Sequence, residues 1–219
     1  MHRAKDNQMT KVIVIGGGSF QGKSLIALRI AYKFRIPVMI CTDTVRSVLH
    51  ILSPDAAYFF TSTYLMSPKI LNRQMKEVSK VLQELLSLYE KRGENIIIEG
   101  MHLSREFIAY LSGKSNVLIF CIDNKLPLEK RLEHKSVTRH RVEYLDSKTR
   151  EVKYGRLTKR NIYFTPYIKH ANRIEEIHRQ IIDYFSKKSL PIIEFENIDK
   201  AIETIDTMVG NFLRTERTK

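Results

Sequence analysis

The sequence predicts an α/β fold: a doubly wound parallel sheet of five strands, with helices on both faces and a basic lid segment. Three observations lead there. Short apolar runs alternate along the chain with segments of helical period. The runs are apolar throughout, as strands buried on both faces of a parallel sheet are. The first run is followed at once by a glycine-rich turn that opens a helix. Right-handed crossovers place helices on both faces of such a sheet, and ligands sit at the carboxyl ends of its strands.

The first strand is Val12 to Ile15, and from Lys23 onward Leu25, Ile26, Leu28, Ile30 and Ala31 predict a helix packed on several sides. Between them stand Gly17, four residues, and then Gly22-Lys23-Ser24, the G-x-x-x-x-G-K-[ST] phosphate loop in its required setting. Glycines let backbone N–H groups converge on phosphates without Cβ clashes, and the helix N-terminus adds partial positive charge. Lys23 is placed to reach the β and γ phosphates and Ser24 to ligate Mg²⁺. Gly17, Gly18, Ser19, Phe20, Gln21, Gly22, Lys23, Ser24 and Leu25 are therefore expected to hold ATP, and the fold is expected to be of the P-loop NTPase type.

A second strand, Val38 to Cys41, ends on Thr42 and Asp43, and the helix "TVRSVLHIL" follows. A loop rich in Ser, Thr and aromatics runs from Ser53 to Ser67. Lys69 to Lys91 carries Ile70, Leu71, Met75, Val78, Val81, Leu82, Leu85 and Leu88 at helical spacing and stops at Gly93. "NIIIEG" is a third strand, "SREFIAYLS" a short helix, "NVLIFCID" a fourth strand, and Leu128 to Lys135 a helix. Residues 136–167 lose clear period and become basic, which predicts a partly mobile segment closing over the site. Ile174, Ile177, Ile181 and Phe185 restore helical spacing, "PIIEF" is a fifth strand, and "NIDKAIETIDTMVGNFL" a final helix.

The 219 residues, 43% of them hydrophobic, can bury a substantial core, and no Pro/Gly/Ser linker divides them. The expectation is one domain over 1–219, with tails at 1–10 and 215–219 and the basic lid region at 125–169. No apolar run is long enough to span a bilayer, and MHRAKDNQMT lacks the apolar segment of a signal peptide, so a cytoplasmic protein with no membrane partner is expected. Cys41 and Cys121 lie in apolar runs and are expected to be buried, reduced thiols. The net charge is +13, and residues 125–180, with fifteen Lys/Arg against seven Asp/Glu, supply +8 of it. Such an excess suits a nucleotide with a phosphorylated substrate, or nucleic acid; a solvated basic surface is the plain alternative.

Three acidic residues end apolar strands: Asp43, Glu99 and Asp123. Asp43 with Arg46 one turn on can orient a hydroxyl or take its proton while the guanidinium pairs with an anionic group; Asp43 or Thr42 can equally cap the helix. Glu99 stands where P-loop proteins carry a carboxylate serving Mg²⁺, so Ser24 and Glu99 are the metal candidates, and Gly100 leaves room for a ligand. His102 adds a second candidate ligand but no third, which favours Mg²⁺ arriving with ATP over a protein-held transition metal. Asp123 has no comparable partner nearby and is read as structural. In the basic segment Arg131, Arg139 and Arg141 are expected to reach a transferring phosphoryl group, so the catalytic candidates are Lys23, Asp43, Arg139 and Arg141.

The stretches "GGGSFQGKS", "CTDTVRSVL", "IIIEGMHLS" and "PIIEFENID", in this order, resemble the 2-phosphoglycerate kinase family of P-loop kinases from about residue 11 to residue 205. The D-x-x-R after the second strand and the I-E-G-x-H after the third separate that family from generic P-loop proteins. The resemblance implies transfer of the ATP γ-phosphate to 2-phosphoglycerate, an anionic small-molecule acceptor, giving 2,3-bisphosphoglycerate. By the same resemblance Asp43, Arg46, Glu99 and His102 line the acceptor side. Some relatives carry an additional N-terminal regulatory nucleotide-binding module; about ten residues precede the first strand here, so that module is expected to be absent. Two other functions fit the same core: a nucleoside or polynucleotide 5′-kinase, and a non-enzymatic ATP-bound nucleic-acid-binding module. Nucleic acid is not favoured, because Tyr58, Phe59, Phe60 and Tyr64 cluster in one loop instead of interleaving with basic residues. A pure binding module has no need of the Asp43/Arg46 pair.

Overall fold

A computed structural model of the chain describes residues 9–59, 62–139, 142–145, 152–155 and 165–215. In chain order the elements are β1 (Val12–Gly16), α1 (Lys23–Phe34), β2 (Val38–Cys41), α2 (Thr42–Leu52), two short 3-10 turns (Ala57–Phe59 and Thr63–Leu65), α3 (Pro68–Arg92), β3 (Ile96–Glu99), α4 (Arg105–Ser112) and β4 (Val117–Asn124). Then come α5 (Leu128–Arg139), β5 (Val142–Leu145), β6 (Val152–Gly155), α6 (Pro166–Lys169), α7 (Ala171–Lys187), β7 (Ile192–Phe195) and α8 (Ile198–Arg214).

β1 is buried along its whole length and lies at the centre of a five-stranded sheet of order β2-β3-β1-β4-β7, every neighbouring pair parallel. This is the doubly wound five-stranded parallel arrangement the sequence predicts. Side chains alternate between two cores, because successive Cβ atoms of a strand point to opposite faces. Val12, Val14, Ile96, Ile98, Ile119 and Cys121 pack against α2, α3, α4 and α7 through residues such as Val45, Leu82, Phe107 and Phe185. Ile13, Ile15, Ile97, Phe120 and Ile122 pack against α1 and α8 through Ile26, Ile30, Ile205 and Val209.

Helix ends follow local chemistry. Ser67 caps α3 by accepting from the Ile70 N–H, Pro68 takes a first-turn position, and Gly93 at φ 64 ends the helix. Ser104 caps α4 and Asn197 caps α8 in the same way. α1 departs from expectation: Ile26, Ala27 and Ile30 are buried, but Leu25 and Leu28 are 48% and 56% exposed. One face of α1 meets the sheet and the other does not.

The register places Glu99 level with both Ile15 of β1 and Cys41 of β2. The carboxyl ends of three adjacent strands thus meet where the phosphate loop leaves β1. In the basic segment the structure adds an element that the periodicity did not reveal: β5 and β6 pair antiparallel, Val142 opposite Gly155 and Leu145 opposite Val152. α5 also continues to Arg139, four residues beyond the expected Lys135. The rest of the expected lid, most of the expected tails, the Arg139 side chain and Arg141 lie outside the described residues. Among the described residues no helix is long and apolar enough to cross a membrane.

Candidate active site

The turn from β1 into α1 has positive φ at Gly17 (139°), Phe20 (64°) and Gly22 (90°). At Gly17 a Cβ would also stand 2.9 Å from the Ile122 carbonyl oxygen, so only glycine fits there without displacement. Phe20 adopts the left-handed conformation with a side chain, and its ring packs edge-on against Tyr167 at 4.8 Å, beside Leu128, Leu132 and Ile174. That burial offsets the backbone cost. Ser19 Oγ donates to Met101 Sδ at 3.4 Å. Gln21 is fully buried; its Oε1 accepts the Asn124 N–H at 2.7 Å, while its Nε2 has no partner among the described residues. The Leu25 N–H bonds to Gly22 O at 3.1 Å in the first turn of α1.

Lys23 is buried, and its Nζ donates to the Gly18 carbonyl at 2.6 Å. Burial lowers its pKa from the ordinary value, against the upward pull of the Glu99 and Asp43 carboxylates. Ser24 Oγ donates to Glu99 Oε1 at 3.0 Å, and Glu99 is 2% exposed. The two metal candidates are therefore adjacent, with the phosphate-loop lysine in the field of the same carboxylate.

On the β2 side, α2 is preceded by Cys41 as its N-cap, with no side-chain cap bond. Neither Thr42 nor Asp43 caps the helix; Asp43 lies in its first turn, where negative charge suits the helix dipole. Its Oδ1 is 3.4 Å from Arg46 Nε and 3.6 Å from His102 Nδ1, and its side chain is 62% exposed. Though the side chain is largely exposed, partial desolvation by its surroundings opposes ionisation of Asp43; His102, Arg46 and Lys23 together outweigh it and hold the carboxyl below its ordinary range. Arg46 also donates through Nη1 to the Phe59 carbonyl at 2.8 Å, so it ties the Ser53–Ser67 loop to α2 as well as facing Asp43.

His102 is completely buried. Its Nδ1 lies 3.4 Å from Thr42 Oγ1 and its Nε2 3.2 Å from Thr63 Oγ1. Burial pushes its pKa down to about 4, although the Asp43 carboxylate pulls the other way, so the ring is neutral near pH 7. The space beside Gly100 is not open to a ligand: a Cβ there would sit 1.8 Å from Thr42 Oγ1. Gly100 is glycine because Thr42 fills that space.

The structure groups Lys23, Ser24, Asp43, Arg46, Glu99 and His102 at one end of the sheet. Arg131 lies behind the phosphate loop, its charge felt by Asp123 and His178. It is buried on α5, its Nη2 pairs with Glu175 Oε1 of α7, and its Nε and Nη1 have no partner among the described residues. Asp123, read from sequence as lacking a partner, has two: His178 Nε2 at 3.0 Å and Lys125 Nζ. His178 went unnoticed in the sequence, although a titratable residue between Ile174, Ile177 and Ile181 on an inward helix face is a usable signal. Cys121 is buried with its thiol pushed up to about 12 by burial, and Cys41 is half-buried; both are free. Cavities of about 600 and 890 Å³ open between α1 and α8 and beside the end of α1. Their lining includes Lys11, Asn95 and Pro37, residues that precede strands, so they lie at the amino ends of the strands, away from this group.

The chain is 30% identical over 208 residues to a 2-phosphoglycerate kinase of Pyrococcus furiosus, covering 89% of this chain and 62% of that protein. It is 28% identical over 221 residues to a 2-phosphoglycerate kinase of Methanothermobacter thermautotrophicus, covering 93% of this chain and 66% of that protein. The likeness thus runs through about nine tenths of the chain, which spans a little under two thirds of the length of these relatives. No protein-family model matches the chain. Among solved structures, a shikimate kinase from Aquifex aeolicus superposes with a TM-score of 0.45 at 20% identity, covering 93% of this chain and 98% of that one.

Proposed function

We propose that the chain is an ATP-dependent kinase acting on the hydroxyl of a phosphorylated hydroxy acid, and that the acceptor is 2-phosphoglycerate, converted to 2,3-bisphosphoglycerate. The observation that carries this reading is the convergence of Lys23 with the Glu99 and Asp43 carboxylates at the carboxyl ends of β1, β2 and β3. A nucleotide site needs the lysine and Glu99; only an acceptor site needs Asp43 with Arg46 beside it. The named activity of the similar archaeal proteins supports the choice of acceptor.

In this reading Lys23 moves from the Gly18 carbonyl to the β and γ phosphates, and the loop N–H groups orient them. Ser24 Oγ and Glu99 Oε1, 3.0 Å apart, form a hard-oxygen pair of the kind Mg²⁺ takes beside phosphate oxygens, and Mg²⁺ held there would offset charge on the β and γ phosphates. Asp43 orients the acceptor hydroxyl and takes its proton as the new O–P bond forms and the bond from γ-phosphorus to ADP breaks. Arg46 pairs with the acceptor's anionic group. His102, neutral and fixed by Thr42 and Thr63, holds the Asp43 side of the site in place. Arg139 and Arg141 would add positive charge over the phosphates.

The test is ADP release with Mg·ATP against 2-phosphoglycerate, 3-phosphoglycerate, glycerate, sugar and inositol phosphates, nucleosides and a 5′-hydroxyl oligonucleotide. Stimulation by 2-phosphoglycerate, lost on the order of 100-fold or more in Asp43→Asn with ATP affinity kept, is the expected result. Stimulation by a nucleoside or oligonucleotide instead moves the acceptor class, and no stimulation by any acceptor removes the kinase reading.

A further inference from the structure

The phosphate loop is backed by α7. A Cβ on Gly18 would lie 2.6 Å from the His178 Cβ, and one on Gly16 would meet the Phe185 ring at 2.7 Å. This close approach lets His178 Nδ1 accept the Gly18 N–H at 3.0 Å. A backbone amide only donates, so Nδ1 carries the lone pair and the ring proton sits on Nε2. From there it is donated to Asp123 Oδ1 at 3.0 Å. The carbonyl of the same Gly18 accepts Lys23 Nζ at 2.6 Å. Three buried hydrogen bonds therefore run from Asp123 on β4, through His178 on α7 and then Gly18, to the phosphate-loop lysine.

We propose that His178 is a positioning residue of this site: it fixes the backbone at Gly18 so that the phosphate loop is set for nucleotide phosphates before they bind, an inference that rests on the kinase reading above. Gly17 and Gly18 give this part of the loop little stiffness of its own. Donors held in place before the ligand arrives need no reorganisation when it does, and their loss is felt as weaker binding. The groups facing the ring are Asp123 from β4, Arg131 from α5 and Lys23 from α1, with Lys125 behind Asp123 and Glu175 less than one turn away on α7. Burial, with the Arg131 and Lys23 charges, keeps the ring below its ordinary pKa against the pull of Asp123. Protonation would place an N–H against the Gly18 N–H and break the contact.

The experiment compares Mg·ATP affinity by calorimetry, below each melting temperature, in wild type and in His178→Asn, His178→Gln and His178→Ala. The Asn carbonyl oxygen can occupy the Nδ1 position; the longer Gln amide reaches the Nε2 position and leaves the Gly18 N–H without an acceptor. Binding within about 3-fold of wild type for Asn, with roughly 10-fold or greater weakening for Gln and Ala, is expected. Wild-type affinity should also fall as His178 protonates at acid pH, a fall that His178→Asn lacks. Equal affinity in all four proteins, or weakening that merely follows loss of melting temperature, overturns the positioning role alone. A wild type that binds no Mg·ATP overturns the kinase reading and this inference together. Should the variants fail to fold, nitrogen NMR of wild type decides: an unprotonated Nδ1 coupled to the Gly18 amide nitrogen is expected, and a protonated Nδ1 overturns the proposal.

Discussion

At His102 two effects oppose each other: burial disfavours the imidazolium and the Asp43 carboxylate favours it. Burial wins, with a folded pKa of about 4 against an ordinary 6.5. Between those values the unfolded chain binds a proton that the folded chain does not, so this contribution to stability is full above pH 6.5 and is lost as pH falls toward 4. The size is about 3 kcal/mol across that window. Denaturant titrations from pH 7 to 4 should show this fall, and His102→Asn should flatten much of it; an unchanged slope would show that another group carries it. His178 adds to the same slope, since its pKa is also lowered. Asp43 and Glu99 were visible in the sequence because the end of an apolar run marks a strand end. So was Arg46 beside Asp43; the partners of the two buried histidines were not. His102 meets Thr63 across 39 residues, and His178 meets Asp123 across 55 and Gly18 across 160. Such pairings depend on sheet register and helix placement, which spacing alone does not encode.

At the scale of elements, the join between β3 and α2 is the tightest in the site. Gly100 has φ 150, and a Cβ there would come within 1.8 Å of Thr42 Oγ1 and 2.7 Å of Thr42 Cβ. Gly100→Ala should therefore cost about 3 kcal/mol, from backbone strain and overpacking together, and lower the melting temperature by roughly 6–12 °C. Gly93 is the control: it has φ 64 with nothing within 4 Å of a Cβ. Gly93→Ala should cost only about 1 kcal/mol. Equal losses in the two variants would mean that Thr42 yields and that the join is not tight. The five sheet strands were legible because burial on both faces makes each a continuous apolar run. β5 and β6 were not, although "VEYL" and "VKYG" both alternate. Each is only four residues long in a stretch dense with charge, too short for its alternation to stand out. The over-reading of α1 has the opposite cause: Leu25 and Leu28 added apolar count on a face that meets no other element of the sheet.

At the scale of the whole molecule, the sheet order sets β1 between β3 and β4, so the phosphate loop emerges between strand ends carrying Glu99 and Asp123. One carboxylate faces the Ser24 side and the other holds the loop through His178. A ligand bound to this loop is therefore coupled to both cores, since α1, whose first turn carries Lys23 and Ser24, packs on one face and α7 on the other. Binding to the folded state alone raises stability by RT ln(1 + [L]/Kd), about 2.7 kcal/mol at a hundredfold excess over Kd. For a chain of this length that corresponds to a rise in melting temperature of roughly 5–11 °C. Mg·ATP should produce such a rise, ATP with chelator a smaller one, and Lys23→Ala should abolish it while melting near wild type without ligand. Glu99→Gln should keep the rise with ATP alone and lose the increment that Mg²⁺ adds, because it changes the oxygen pair and leaves the loop. If Glu99→Gln instead lost the whole rise, Glu99 would be acting on the loop or on Lys23, and the Mg²⁺ role would pass to other residues.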